Sequence, residues 1–149
     1  MRGYDVFLAV SYKSACVEQS AYRLAIEAIL KGATGTGLSI YVAPANEGWG
    51  LSRPPRREAL AQDHSALREC ACFVFFVGGF ESDGALVELG IALALRKRII
   101  IMRWESESLS SHVKGFIEIG AAEENVIAAS LETSALLALL GAPDVAHRM

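Results

Sequence analysis

The chain has 149 residues, 52% of them apolar, and a formal charge of −3. That length suits one domain with a real hydrophobic core, and the mild acidity argues against a nucleic-acid-binding face. No apolar run approaches the roughly 18–20 residues that span a bilayer.

Tyr4–Val10 reads as a first strand and Ser20–Lys31 as a helix with apolar positions Leu24, Ala25, Ala28 and Ile29. Gly32–Gly37 reads as a turn, Leu38–Ala43 as a second strand, and Pro44–Pro55 as a loop carrying Gly, Trp and two prolines. The helix Arg56–Arg68 leads to a third strand, Cys72–Val77, and then to an apolar helix, Ala85–Leu95. Arg98–Arg103 is the fourth strand, followed by a short helix near Ser110–Ile117, a weak strand around Asn125–Ala128 and a helix Leu131–Leu140. Near-continuous apolar strands alternating with helices predict a flavodoxin-like (Rossmann-like) α/β fold, a parallel five-stranded sheet covered by helices on both faces. Residues 1–142 are expected to form one domain and Pro143–Met149 a frayed tail. The cysteines Cys16, Cys70 and Cys72 are odd in number and lack metal-ligand spacing, so free thiols are expected, mostly buried. With no signal peptide ahead of the first strand, a reducing cytoplasm is the expected location.

In such a sheet the loops at the strand carboxyl ends meet in one crevice. Here those loops begin at Ser11, Pro44, Gly78 and Arg103. Ser11, Lys13 and Ser14 follow strand one; Ser82, Asp83 and Glu88 follow strand three; Ser110, Ser111, His112 and Lys114 follow strand four. The segment Ser11-Tyr12-Lys13-Ser14 either binds an anion near a helix start or is an ordinary polar turn. It lacks both the P-loop pattern and the Gly-x-Gly-x-x-Gly fingerprint, which disfavours Walker-type ATP hydrolysis. No Gly-x-Ser-x-Gly elbow exists, and His64 and His112 have no partner at metal or triad spacing. No metal and no cofactor are expected. Trp49 is either a hydrophobic plug or a lid that stacks on a base.

Glu88 is the one charged side chain between Ala85 and Leu95, in a helix apolar enough to be buried on most sides. A carboxylate there is costly unless paired, protonated or used in chemistry. One reading pairs it with Arg or Lys near a helix N-terminus; the other has it attack or stabilise an electron-poor carbon such as a sugar anomeric centre. Asp63, on the preceding helix, is then a second carboxyl group able to act as acid or base, or else an exposed helix Asp. Asp83 reads as the N-cap of the Glu88 helix.

The run Val87-Glu88-Leu89-Gly90-Ile91-Ala92-Leu93-Ala94-Leu95 resembles the Glu-Leu-Gly helix of nucleoside 2-deoxyribosyltransferases. It is most similar to the branch that hydrolyses 2'-deoxynucleoside 5'-monophosphates. The resemblance implies that Glu88 is the nucleophile on the anomeric carbon and that Ser82, six residues earlier, contacts the 5'-phosphate. Gln62-Asp63 resembles a Gln-Asp pair whose Asp assists at the glycosidic bond. Ser11 and Lys13 are similar to first-loop residues that hold the phosphate, although the loop glycines of that branch are replaced by Val10, Ser14 and Ala15. Leu109-Ser110-Ser111-His112-Val113-Lys114-Gly115 resembles a segment whose Ser reaches the phosphate in a neighbouring protomer, which implies a homodimer. The implied set is catalytic Glu88 and Asp63, with Ser11, Lys13, Ser82, Gly84 and Ser110 binding phosphate and substrate.

A second resemblance competes. Tyr4-Asp5-Val6-Phe7-Leu8 followed by Ser11-Tyr12 is similar to the opening strand of Toll/interleukin-1 receptor (TIR) domains, whose enzymatic members split the nicotinamide–ribose bond of NAD with a Glu on the corresponding helix. Three readings follow: an N-glycosidase or N-glycosyltransferase acting on a nucleoside 5'-monophosphate, a TIR-like enzyme with NAD as substrate, or a non-enzymatic interaction or nucleotide-sensing module. The expected partners are a nucleotide and a second copy of the chain, with neither nucleic acid nor membrane.

Overall fold

In the computed structural model, which describes residues 3–78 and 83–127 together with residues 138 and 140, the strands form one sheet. They are β1 Val6–Ala9, β2 Ile40–Tyr41, β3 Cys72–Phe76, β4 Arg98–Trp104 and β5 Glu123–Ile127. Their order is β2-β1-β3-β4-β5, and every neighbouring pair is parallel. The helices are α1 Tyr12–Ala15, α2 Ala21–Thr36, α3 Ala43–Asn46, α4 Arg56–Glu69, α5 Asp83–Ala94 and α6 Ser111–Glu118. The expected flavodoxin-like fold is therefore observed.

Strand alternation sends successive side chains to opposite faces. Leu8, Val74, Phe76, Ile100 and Met102 pack with Tyr22, Ala25, Ile26 and Ile29 of α2. Phe7, Phe73, Phe75, Ile99 and Ile101 pack instead under Leu67 of α4, Leu89 and Ala92 of α5, and Val113 of α6. Both faces are covered, so the inner strands are apolar at every position rather than at alternate ones. Glu88 and Asp63 belong to the helices of the second face.

The chain winds from β1 to β2 on one side and returns to place β3 on the other. A crevice opens at the carboxyl ends where that direction reverses, between β1 and β3. Tyr22 spans this point from below. Its hydroxyl donates to the Phe76 carbonyl at 2.7 Å and accepts the Ser11 N–H at 2.9 Å, tying the ends of β3 and β1 together.

Helices and strands from Arg56 onward start within two residues of their expected positions, but the first third differs. The expected turn at Gly32–Gly37 is helical: α2 runs on to Thr36, because Ala33 continues the buried stripe of Ala25, Ile26 and Ile29. It stops at Gly37, whose φ of 76° gives the left-handed C-cap that costs glycine little. The expected strand Leu38–Ala43 shrinks to two residues, since this edge strand has only β1 to pair with and Pro44 lies in the first turn of α3. The segment after β1 is not an open loop; it forms the single turn α1.

The helix around Glu88 is not buried on most sides. Ala85, Leu89 and Ala92 are covered, whereas Leu86 and Val87 are 47% and 62% exposed. Its apolar composition is richer than its one packed face requires. Asp83 is itself helical, in the first turn of α5, rather than its cap, and Ser82 before it lies outside the described residues. Of the helix expected over Leu131–Leu140, Ala138 and Leu140 are helical; the remainder, and the tail Pro143–Met149, lie outside them too. All three cysteines are free, with Cys70 and Cys72 buried and Cys16 half-buried. No described helix is long and apolar enough to cross a membrane.

Candidate active site

A cleft of about 690 Å³ lies at the carboxyl ends of β1, β2 and β3, within the range of small-molecule sites. Its floor is the end of β1, and its walls come from two sources. The segments after β1 and β2 supply Tyr12, Lys13, Cys16, Trp49 and Arg53; α4 and α5 supply Asp63, Asp83, Gly84 and Glu88. Among the described residues, both cations thus come from the loop side and all three carboxylates from the helix side.

Glu88 is half-buried and lines this cleft. Burial raises its carboxyl group, and the negative charge of Asp63 adds to that effect, pushing it up to about 8. No ion pair to Glu88 occurs among the described residues, so the expected alternative of an Arg or Lys partner is not what the geometry supplies. Asp63 is raised by burial as well, opposed by a hydrogen bond: the Tyr41 hydroxyl donates to its Oδ1 at 2.6 Å. Two carboxyl groups whose charges interact this closely titrate as a pair.

The loop side carries its own network. The Tyr12 hydroxyl donates to buried Glu47 Oε1 at 2.8 Å, and the Arg53 guanidinium sits 4.4 Å over the Tyr12 ring and 3.9 Å from the same carboxylate oxygen. Burial, the Glu47 hydrogen bond and its charge together hold the Tyr12 phenol protonated. Trp49 adopts a left-handed φ of 57° between Gly48 and Gly50, which share that sign of φ. Its ring packs against the α2-side core and under the Arg23 guanidinium, and the residue also lines the cleft. Plug and cleft wall are therefore one residue.

The sequence-derived candidates divide into three groups. Glu88, Asp63, Lys13 and Gly84 meet in the cleft. Ser11 is fully buried beneath it, its hydroxyl donating to Ser14 Oγ at 3.0 Å, and it does not line the cleft. Ser110 is exposed and caps α6, accepting the Val113 N–H at 3.4 Å, also away from the cleft. Ser82 lies outside the described residues. Gln62 is exposed and faces a groove shared with Tyr4, Ser65 and Glu69, because consecutive helical residues point about 100° apart and only Asp63 can face Glu88. Among the described residues, no three His, Cys, Asp or Glu side chains gather as a metal site.

Comparison with known proteins adds the fold's company. No family model matches the sequence, and no curated protein matches it. Solved structures do. The CMP N-glycosidase BcmB of Clostridium botulinum aligns with a TM-score of 0.62 at 22% identity, over 82% of this chain and 87% of that one. The solution structure of BlsM aligns with a TM-score of 0.67 at 26% identity, over 85% and 83%. This chain shares their fold. Neither likeness supports the TIR resemblance or NAD as a substrate.

Arg53, Tyr41 and Glu47 are not among the candidates the sequence offers, while Tyr12 appears there only within the Ser11–Ser14 segment and Cys16 only as a free thiol. Tyr12 stands between the candidates Ser11 and Lys13, and Tyr41 lies within the expected strand Leu38–Ala43, so each carries a faint signal. Arg53 and Glu47 carried none, since a charge in a polar loop is ordinary.

Proposed function

We propose that the protein is an N-glycosidase that cleaves the base–sugar bond of a nucleoside 5'-monophosphate. The observation that carries this reading is the pairing of Glu88 and Asp63, two carboxyl groups from adjacent helices, in a cleft at the switch point of the sheet. BcmB, of similar fold, is a CMP N-glycosidase, and CMP is a nucleoside 5'-monophosphate.

The chemistry requires one proton between the two groups. Glu88, as carboxylate, attacks the anomeric carbon; the C1'–N bond breaks, and its electron pair leaves with the base, which takes a proton from Asp63. The glycosyl ester on Glu88 is then released by water, whose proton passes to the Asp63 carboxylate, or by an acceptor base in a transferase. In the free protein the shared proton rests on Glu88, the group held higher, so substrate binding must shift it to Asp63 or the base. Lys13 and Arg53 on the loop side suit the phosphate, as does the start of α5 at Gly84, where backbone N–H groups and the helix dipole favour an anion. Ser110, outside the cleft of its own chain, would reach a phosphate only from a second copy.

The test is base release from ribo- and deoxyribonucleoside 5'-monophosphates, the matching nucleosides and NAD, with wild type and Glu88→Gln. Release from monophosphates, lost by at least a thousandfold in Glu88→Gln, is expected. Release from NAD alone, or full activity in the variant, would overturn the reading.

A further inference from the structure

Asp63 reaches the cleft held by a residue that does not itself line it. Tyr41 ends the edge strand β2, is 4% exposed, and stands in register beside Phe7, which in turn stands beside Phe73. The three rings stack across the sheet at centroid separations of 5.2 and 5.7 Å, and Tyr4 closes the row edge-on at 5.1 Å. This row fixes the ring plane, so the hydroxyl has one place to go, and that place is Asp63 Oδ1 at 2.6 Å.

We propose that Tyr41 is a positioning residue for the glycosidic-bond chemistry: by occupying Asp63 Oδ1 it fixes the carboxyl group in one orientation and leaves Oδ2 as the oxygen that gives and takes the proton. The inference rests on the N-glycosidase reading and deepens it. A donor on Oδ1 also stabilises the ionised form of Asp63, the form needed to accept a proton from water in the second half of the reaction. The other groups acting on Asp63 are Glu47 after α3, His64 on α4 itself and Glu88 on α5. Glu47 and Glu88 are carboxyl groups and His64 is exposed, so within this set the Tyr41 hydroxyl is the neutral donor.

Tyr41→Phe keeps the stacked ring and removes only the hydroxyl. The kcat of base release is expected to fall about tenfold with KM within about twofold, as for a lost orienting contact. The acid limb of the pH–rate profile should move up in pH, because Asp63 then keeps its proton longer, while the alkaline limb set by Glu88 stays in place. In an Asp63→Asn background the same substitution should change kcat less than about twofold, since it acts through a carboxylate that is gone. Equal losses in both backgrounds, or an unmoved acid limb, would overturn the proposal. Should Tyr41→Phe melt too low to assay, site-specific 3-fluorotyrosine at position 41 tests the opposite sign: a stronger donor should move the acid limb down. A carbon-13 titration of the Asp63 carboxyl in wild type and Tyr41→Phe needs no substrate. An upward shift there in a protein that releases no base would sustain the Tyr41–Asp63 link and sink the N-glycosidase reading; no shift would sink the link itself.

Discussion

Asp63 on α4 and Glu88 on α5 line one cleft close enough for the charge of the first to raise the second, on top of burial, to about 8. Their helices pack on the same face of the sheet, and each residue sits where its helix leaves the covered row and meets the crevice. Like-charged groups placed so cannot both ionise cheaply near neutrality, and the retained proton is what a glycosidic leaving group needs.

A bell-shaped profile of kcat/KM follows. Between the ionisation of Asp63 and that of Glu88 the pair carries one proton; below this window both groups are neutral, and above about 8 both are charged. The rate should fall on either side. Asp63→Asn removes both the acid and the charge that lifts Glu88, so activity should drop roughly a hundredfold or more, with the remaining rate rising with pH through a midpoint below that of the wild-type alkaline limb.

The same carboxylate weakens the fold at alkaline pH. Glu88 titrates near its ordinary value when unfolded and at about 8 when folded, so the folded protein binds more protons between those limits and stability falls as pH rises through them. Glu88→Gln lacks this penalty. Thermal melting should show the variant more stable than wild type at pH 9, with the difference vanishing near pH 4.

Removing charge from the loop side should act on binding. Lys13→Ala and Arg53→Ala are expected to raise KM for nucleoside monophosphates by about tenfold or more, with little effect on any residual turnover of the nucleosides. Comparable losses on both substrate classes would mean that these residues shape the cleft without reading the phosphate.

Tyr22→Phe tests the brace beneath the crevice. It strands the Ser11 N–H and the Phe76 carbonyl in a buried setting, at a cost of about 1–3 kcal/mol. For a domain of this size that corresponds to a melting point lowered by roughly 2–4 °C per kcal/mol. An unchanged melting point would show that the strand ends hold together without the bridge.

Exposed Leu86 and Val87 on α5, with Leu60 on α4, offer an apolar surface for the expected second copy. Sedimentation should find a dimer in wild type and a shift toward monomer in Val87→Glu. A monomeric wild type at high concentration would remove the proposed role of Ser110 across the interface.

How far the sequence reached depends on the range of each interaction. Strand and helix identity is written locally, in the apolar runs of β3 and β4 and the spacing of Ala25, Ile29 and Ala33, and these were legible. So was the anomaly of Glu88, a charge where the pattern asks for none. Exposure around it was not: Leu86 and Val87 look as buriable as Leu89, and only the sheet's position on one side of α5 separates them. Ser11 and Ser110 share that difficulty, since a serine bonded inward or capping a helix reads the same as one aimed at a ligand.

Periodicity and composition act within a few residues, and they suffice for a parallel, doubly covered sheet and a suspect carboxylate. The tertiary structure decided which residues meet. The strand order put β1 beside β3, a parallel register set Tyr41 next to Phe7, and the crossing of α4 over that row brought Tyr41 to Asp63 and Asp63 to Glu88. Contacts between residues 22 to 66 positions apart arise from the packing of whole elements, and no local period encodes them.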